Sequence, residues 1–148
     1  MFIKILLFIF LFTIFLKYKP NSVKENYTKY NKIEELKNIL KPMFQQSFNG
    51  KLKKLNDIDI FKDINIQIGN KSYTINKKDI YLCMYDENNK FYENQQLIYV
   101  LLHEISHVIC DDIGHTDDFF EIFDELLNIA IRMKIYDPEF VLKEKYCT

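Results

Sequence analysis

The spacing of apolar and polar positions changes several times along this chain, and each change marks an element. From Ile5 to Leu16 the sequence reads ILLFIFLFTIFL, softened only by Thr13. With Met1 to Ile3 added, and Lys4 able to snorkel from the edge, the stretch reaches the lower limit of a bilayer span and predicts a membrane anchor over residues 1–17. A cleaved signal peptide is the competing reading. It is disfavoured because Lys17, Tyr18, Lys19 and Pro20 follow, where a small-x-small cleavage pattern would stand. Residues 18–30 lack periodic apolar positions and read as a polar tether, and the globular domain is expected over 31–148. Ile33, Leu36, Ile39 and Leu40 recur at helical spacing until Pro42 interrupts or kinks the helix, with Met43, Phe44 and Phe48 continuing toward Gly50.

The period then drops to two. Ile64, Ile66 and Ile68 alternate with Asn65 and Gln67, Gly69-Asn70 signals a turn, and Tyr73 and Ile75 begin a return strand. Ile80 to Met84 is a compact apolar run between Asp79 and the Asp86–Asn89 turn, again a strand. Together these predict a small antiparallel sheet. From Asn94, a candidate N-cap, Leu97, Ile98, Leu101, Leu102, Ile105, Val108 and Ile109 form one broad apolar helical face, ended by Asp111, Asp112 and Gly114. Thr116 caps a further helix with Asp117 and Asp118 in its first turn, where negative charge suits the helix dipole. Phe119, Phe123, Leu126 and Ala130 run down its buried side toward Lys134. The fold class is therefore α+β.

Charge divides the 148 residues unevenly. Residues 1–92 hold sixteen lysines against nine acids, a net +7, while residues 93–148 hold four basic residues against twelve acids, a net −8. Lys17, Lys19, Lys24 and Lys29 outweigh Lys4 across the apolar start, so the positive-inside rule sets the expected domain on the cytoplasmic side, as a single-pass protein touching anionic lipid. Lys51, Lys53 and Lys54 read as a solvated face rather than a nucleic-acid site. Cys83, Cys110 and Cys147 are odd in number, widely spaced and without a C-x-x-C pair, which suits a reducing compartment and predicts no disulfide framework.

The chemistry concentrates in the acidic half. His103-Glu104-Ile105-Ser106-His107 is an H-E-x-x-H motif on the predicted helix, and residues four apart on a helix point the same way, so both imidazoles can reach one ion. Zn²⁺ takes such ligands at about 2.0–2.1 Å and prefers a tetrahedron. Glu104 lies about 100° around the axis from His103, placed to act as general base on a water at the metal without taking a ligand position. A catalytic zinc wants three protein ligands and one open position; His115, preceded by Gly114, is the third.

The stretch LLHEISHVICDDIGHTDDFFEIFDELL resembles the zincin metallopeptidases of the WLM and SprT-like group. These carry a strand, the H-E-x-x-H helix, and then a Gly-His with a Phe four residues on, matched here by Gly114, His115 and Phe119 over roughly residues 75–135. WLM members use a shorter spacer than the seven residues, Val108 to Gly114, found here, a length closer to the SprT-like pattern. The resemblance implies a zincin-like domain and a zinc metalloendopeptidase acting on protein or peptide substrates. Its DNA-linked substrates are not carried over.

Other assignments compete with these. Glu121 or Glu125 could replace His115 as third ligand, although both read as the solvated face of their helix. Tyr99 and Tyr136 could serve an oxyanion, and the strand at Ile80–Met84 could be the edge that pairs with a peptide. A non-catalytic zinc site closed by Asp111, Asp112 or Cys110 is one rival. A membrane-tethered binding module for lipid or nucleic acid is the other.

Overall fold

A computed structural model of the chain describes residues 21–147, with side chains from residue 28 onward. The chain divides into two compact units, Met1–Lys32 and Ile33–Thr148, and the sheet and the histidines belong to the second. Helix α1 (Asn21–Leu40) begins well before the amphipathic stretch. Residues 21–30, expected as a polar tether, are helical. No Gly or Pro interrupts them, and polarity all round a helix conceals its period from a hydrophobic pattern. From Ile33 onward α1 turns apolar residues inward, burying Leu36 and Leu40.

The expected single-pass membrane placement is also corrected. Among the described residues no helix is long and apolar enough to cross a membrane, and the anchor reading of residues 1–17 falls outside the described residues.

Two 3₁₀ turns follow α1, Lys41–Gln45 with Pro42 in its first turn and Gly50–Asn56 opened by Gly50 at φ 57°. The short helix α2 (Ile60–Asp63) is capped by Asp59, whose side chain accepts from the Phe61 amide. Strands β1 (Asn65–Ile68), β2 (Tyr73–Ile75) and β3 (Asp79–Leu82) form one three-stranded sheet in the order β1-β3-β2. β1 runs parallel to β3, Ile66 opposite Ile80, and β2 runs antiparallel to it, Thr74 opposite Ile80. The sheet is mixed, not the antiparallel one expected. β3 is the most apolar strand, with Ile80 and Leu82 fully buried, so it takes the centre where both backbone edges are paired. β2, whose residues are exposed or half-buried, is left as an edge. The three-residue connection from β2 to β3 is built on a turn closed by the Lys78 amide donating to the Ile75 carbonyl, with positive φ at both central residues, Asn76 and Lys77.

Helix α3 (Asn94–Ile109) lies against the sheet and against helix α4 (Asp117–Arg132). The expected cap, Asn94, is instead the first residue of α3, and Glu93 occupies the cap position without a side-chain bond. Leu97, Leu101 and Ile105 of α3 meet Phe119, Leu126 and Ala130 of α4 in the core. The opposed charges of the two halves meet in ion pairs: Lys51 with Asp118 and Glu121, and Lys54 with Asp111.

The cysteine expectation is overturned. Cys83, just past β3, is disulfide-bonded to Cys147, 64 residues away, while Cys110 keeps a buried thiol. Widely spaced cysteines carry no local signal of pairing; the return of the C-terminal segment to the sheet brings these two together. A crosslink closing a loop of that length is typically worth about 2–4 kcal/mol.

Candidate metal centre

His103 and His107 sit one turn apart on α3, facing the loop that leads to α4. After Ile109 the chain turns sharply, and Gly114 at φ 88° reverses it so that His115 comes back over α3. Thr116 then caps α4, its hydroxyl accepting from the Phe119 amide at 3.4 Å. The structure brings the three imidazoles together. His103 and His115 stand 3.0 Å apart at their Nε2 atoms, and one ligand nitrogen from each of the three lies within 4.8 Å of the others. Neighbouring nitrogens on a tetrahedral ion with bonds of about 2.0–2.1 Å lie about 3.3 Å apart, so shifts of an ångström or so fit the set to one ion. Phe119, fully buried, underlies all three rings: it stacks on His107 at 4.2 Å and presents edges to His103 and His115.

Glu104 is buried on the same helix, at 4% exposure. Its carboxylate accepts a 2.7 Å hydrogen bond from the Thr74 hydroxyl of β2, which also reaches the Glu104 carbonyl at 3.1 Å. Two lysines hold the loop that carries His115. Lys77, in the β2–β3 turn, donates to the carbonyls of Cys110 and Asp112, and Lys54 to the Ile109 carbonyl and the Asp111 carboxylate. These cations sit at the C-terminus of α3, where the helix dipole and its orphan carbonyls favour positive charge. A cleft of about 520 Å³ opens between β2, α3 and the loop, and Thr74, Lys77, Glu104 and the three histidines line it.

The remaining candidates lie elsewhere. Glu121 pairs with Lys51 and Glu125 is exposed on α4, so neither joins the cluster. Tyr99 and Tyr136 pack together, with rings 5.9 Å apart. Asp111 is engaged by Lys54, Asp112 accepts from Thr116, and the Cys110 thiol faces Asp118. Sequence reasoning missed Thr74 and Lys77, because a threonine on a strand and a lysine in a turn carry no motif.

Comparison with known proteins finds relatives encoded by viruses. It is 39% identical over 140 residues to uncharacterized protein 136R of Invertebrate iridescent virus 6, an alignment covering 88% of this chain and 79% of the other. The chain belongs to the 136R family. It is also 45% identical over 100 residues to uncharacterized protein 042R of Invertebrate iridescent virus 3, covering 67% of this chain and 63% of that protein. Uncharacterized protein R325 of Acanthamoeba polyphaga mimivirus is 33% identical over 122 residues, 80% of this chain and 57% of its own length. No family model matches the chain, and no solved structure does.

The electrostatics of this 136R-family site favour metal-ready imidazoles. Burial, reinforced by His107 and His115, holds His103 well below the ordinary histidine range, at about 4. His107 is lowered too, by burial and then by His115 and Lys77. Both rings are therefore neutral at pH 7, the form in which an imidazole can bind a metal. Burial pushes the Glu104 carboxyl up, opposed by the Thr74 hydrogen bond.

A pH response of the metal-free protein follows. His103 and His107 bind protons more weakly folded than unfolded; the stability His103 contributes is present above about pH 6.5 and is lost as pH falls through about 4, and His107 acts in the same direction. Glu104 acts in the opposite sense, its contribution being lost as pH rises through its folded value. The urea midpoint of chelator-treated protein should drop between pH 6.5 and 4, and His103→Asn should flatten that drop. An equally steep profile in the variant would remove His103 as its source.

Lys77 yields a second expectation. Lys77→Met keeps the stem but leaves the Cys110 and Asp112 carbonyls without their donor, loosening His115. Loss of an outer-shell partner typically costs 10–100-fold in metal affinity, so zinc held by the three histidines would pass to a competing chelator at a chelator concentration about 10-fold lower or less. Unchanged competition would show that the loop holds itself.

Proposed function

We propose that this chain is a zinc-dependent metallopeptidase of zincin type, of the WLM and SprT-like group, hydrolysing peptide bonds in protein substrates. The observation that carries this reading is a cluster of three imidazoles with no fourth protein donor among the described residues, beside a buried carboxylate one residue along the same helix. Three ligands with an open position are the pattern of catalytic zinc, whereas structural sites are closed by a fourth. Asp111, Asp112 and Cys110, which could close it, are committed to Lys54, Thr116 and the core.

Zinc held there supplies a Lewis acid for the scissile carbonyl and for water. Glu104 takes the proton of the attacking water and returns it to the leaving amine, and its burial raises its basicity for that task. Thr74 fixes the carboxylate's orientation through one oxygen and leaves the other for the proton. β2, rather than the central β3, is the edge along which an extended substrate can pair, and Thr74 places it directly beside Glu104. The binding-module reading is weakened because Lys51 and Lys54 are paired with acids of the same chain.

The test is metal analysis of the full chain together with digestion of an unfolded protein. One zinc per chain is expected, with cleavage abolished by a chelator and restored by added zinc. Bound zinc with no cleavage of any unfolded substrate would favour the structural site, and absence of zinc would sink both.

A further inference from the structure

Past α4 the chain has no further helix or strand among the described residues, yet residues 137–147 are tied down along their length. The Asp137 amide donates to the Gln95 side chain at 2.8 Å, and the Lys143 amide to the buried Gln96 side chain at 2.9 Å. The Cys147 amide donates to the Tyr92 hydroxyl at 3.1 Å. The Tyr146 ring packs on Tyr92, and its hydroxyl donates to the Cys83 carbonyl while meeting the Ser72 hydroxyl at 2.9 Å. Ser72 in turn accepts from the Cys83 amide. The Cys83–Cys147 disulfide closes this ring of contacts covalently.

Two consequences reach the metal cleft. Ser72 stands two residues before Thr74, on the same side of the extended chain, so Tyr146 braces the segment that presents Thr74 to Glu104. Leu142, Tyr146 and Cys147 also line a cleft of about 550 Å³ together with Tyr99, His103 and Glu104. That cleft shares Ser72, His103 and Glu104 with the metal cleft. On its other side the disulfide borders a surface cleft lined by Asn70, Glu87 and Asn88, so small reductants reach it.

We propose that the C-terminal segment is a redox-fastened strap: the Cys83–Cys147 disulfide holds it as a wall of the candidate active site, and reduction releases it. Reduction by a dithiol breaks the Sγ–Sγ bond through a mixed disulfide. Two electrons and two protons pass to the chain, leaving two thiols, and the dithiol closes to its own disulfide. Without the crosslink, an irregular segment held by a few hydrogen bonds opens before the helices and the sheet do. The oxidised chain is then the assembled state of the site. The consequence for cleavage rests on the metallopeptidase reading; the strap itself does not.

The experiment is amide hydrogen exchange on the zinc-loaded full chain, following peptides 70–76 and 140–147. Oxidised protein is compared with protein reduced by a trialkylphosphine, which takes its oxygen from water, and with Cys147→Ser. Reduction and the variant should each speed exchange of 140–147 by about ten-fold or more, and of 70–76 to a lesser degree, with α4 unchanged and zinc retained. Tyr146→Phe, with the disulfide intact, should speed 70–76 but leave 140–147 slow. Exchange of 140–147 that ignores reduction overturns the strap, and 70–76 unmoved in Tyr146→Phe overturns the brace. If cleavage by the oxidised wild type is present but unaffected by reduction, the wall has no role in the site. If the oxidised wild type cleaves nothing, the metallopeptidase reading fails and the exchange result still decides the strap.

Discussion

Replacing Glu104 with Gln should leave one zinc per chain and lower cleavage of an unfolded protein by about 10²–10⁴-fold, the usual worth of general acid–base catalysis. Zinc stays because the three imidazoles that converge within 4.8 Å do not include this side chain. Gln has the size and helix preference of Glu and can still accept from the Thr74 hydroxyl, so α3 and β2 keep their contact. Removing a buried ionisable group relieves desolvation, so folding stability should hold or rise slightly. What disappears is the group proposed to take and return the proton. The measurements are zinc content, thermal unfolding and initial cleavage rate on the same preparation. Wild-type cleavage by the variant would assign the base to another residue. Loss of zinc would instead make Glu104 part of the metal's support.

His115→Ala should release the metal. Zinc in four-ligand structural sites is bound with an apparent free energy of about 10–16 kcal/mol, so one imidazole carries on the order of 3 kcal/mol, more than a hundred-fold in affinity. His115 is exposed, and Ala there costs only ring contacts with Phe119, Phe120 and the two other histidines. The metal-free variant should therefore unfold close to metal-free wild type. The difference appears on adding zinc. At a hundred times its dissociation constant, zinc stabilises wild type by about 2.7 kcal/mol, whereas the variant should gain almost nothing at the same concentration. His103→Ala should lose zinc as well. It should also lose stability without zinc, because its ring packs edge-on against Phe119 and Phe123. A His115→Ala protein that binds zinc as wild type does would remove the third ligand, and Glu121 or Glu125 would still need a path to the site.

Local rules made part of this protein legible from its residues alone. The helical face from Leu97 to Ile109, the Thr116 cap and the α+β class follow from periodicity and capping, which act within a few residues of the chain. The alignment of His103 with His107 is likewise a property of one turn of helix. The helix at residues 21–30 escaped notice because it presents no apolar stripe to detect. Strand pairing escaped because alternation tells which strands exist, while burial of Ile80 and Leu82 tells which one is central. Tertiary structure alone decided what Glu104 touches, how Lys77 and Lys54 hold the His115 loop, and that Cys83 meets Cys147. Each of those contacts joins residues some 30 to 64 positions apart, and such pairs are chosen by the packing of the whole chain rather than by the residues beside them.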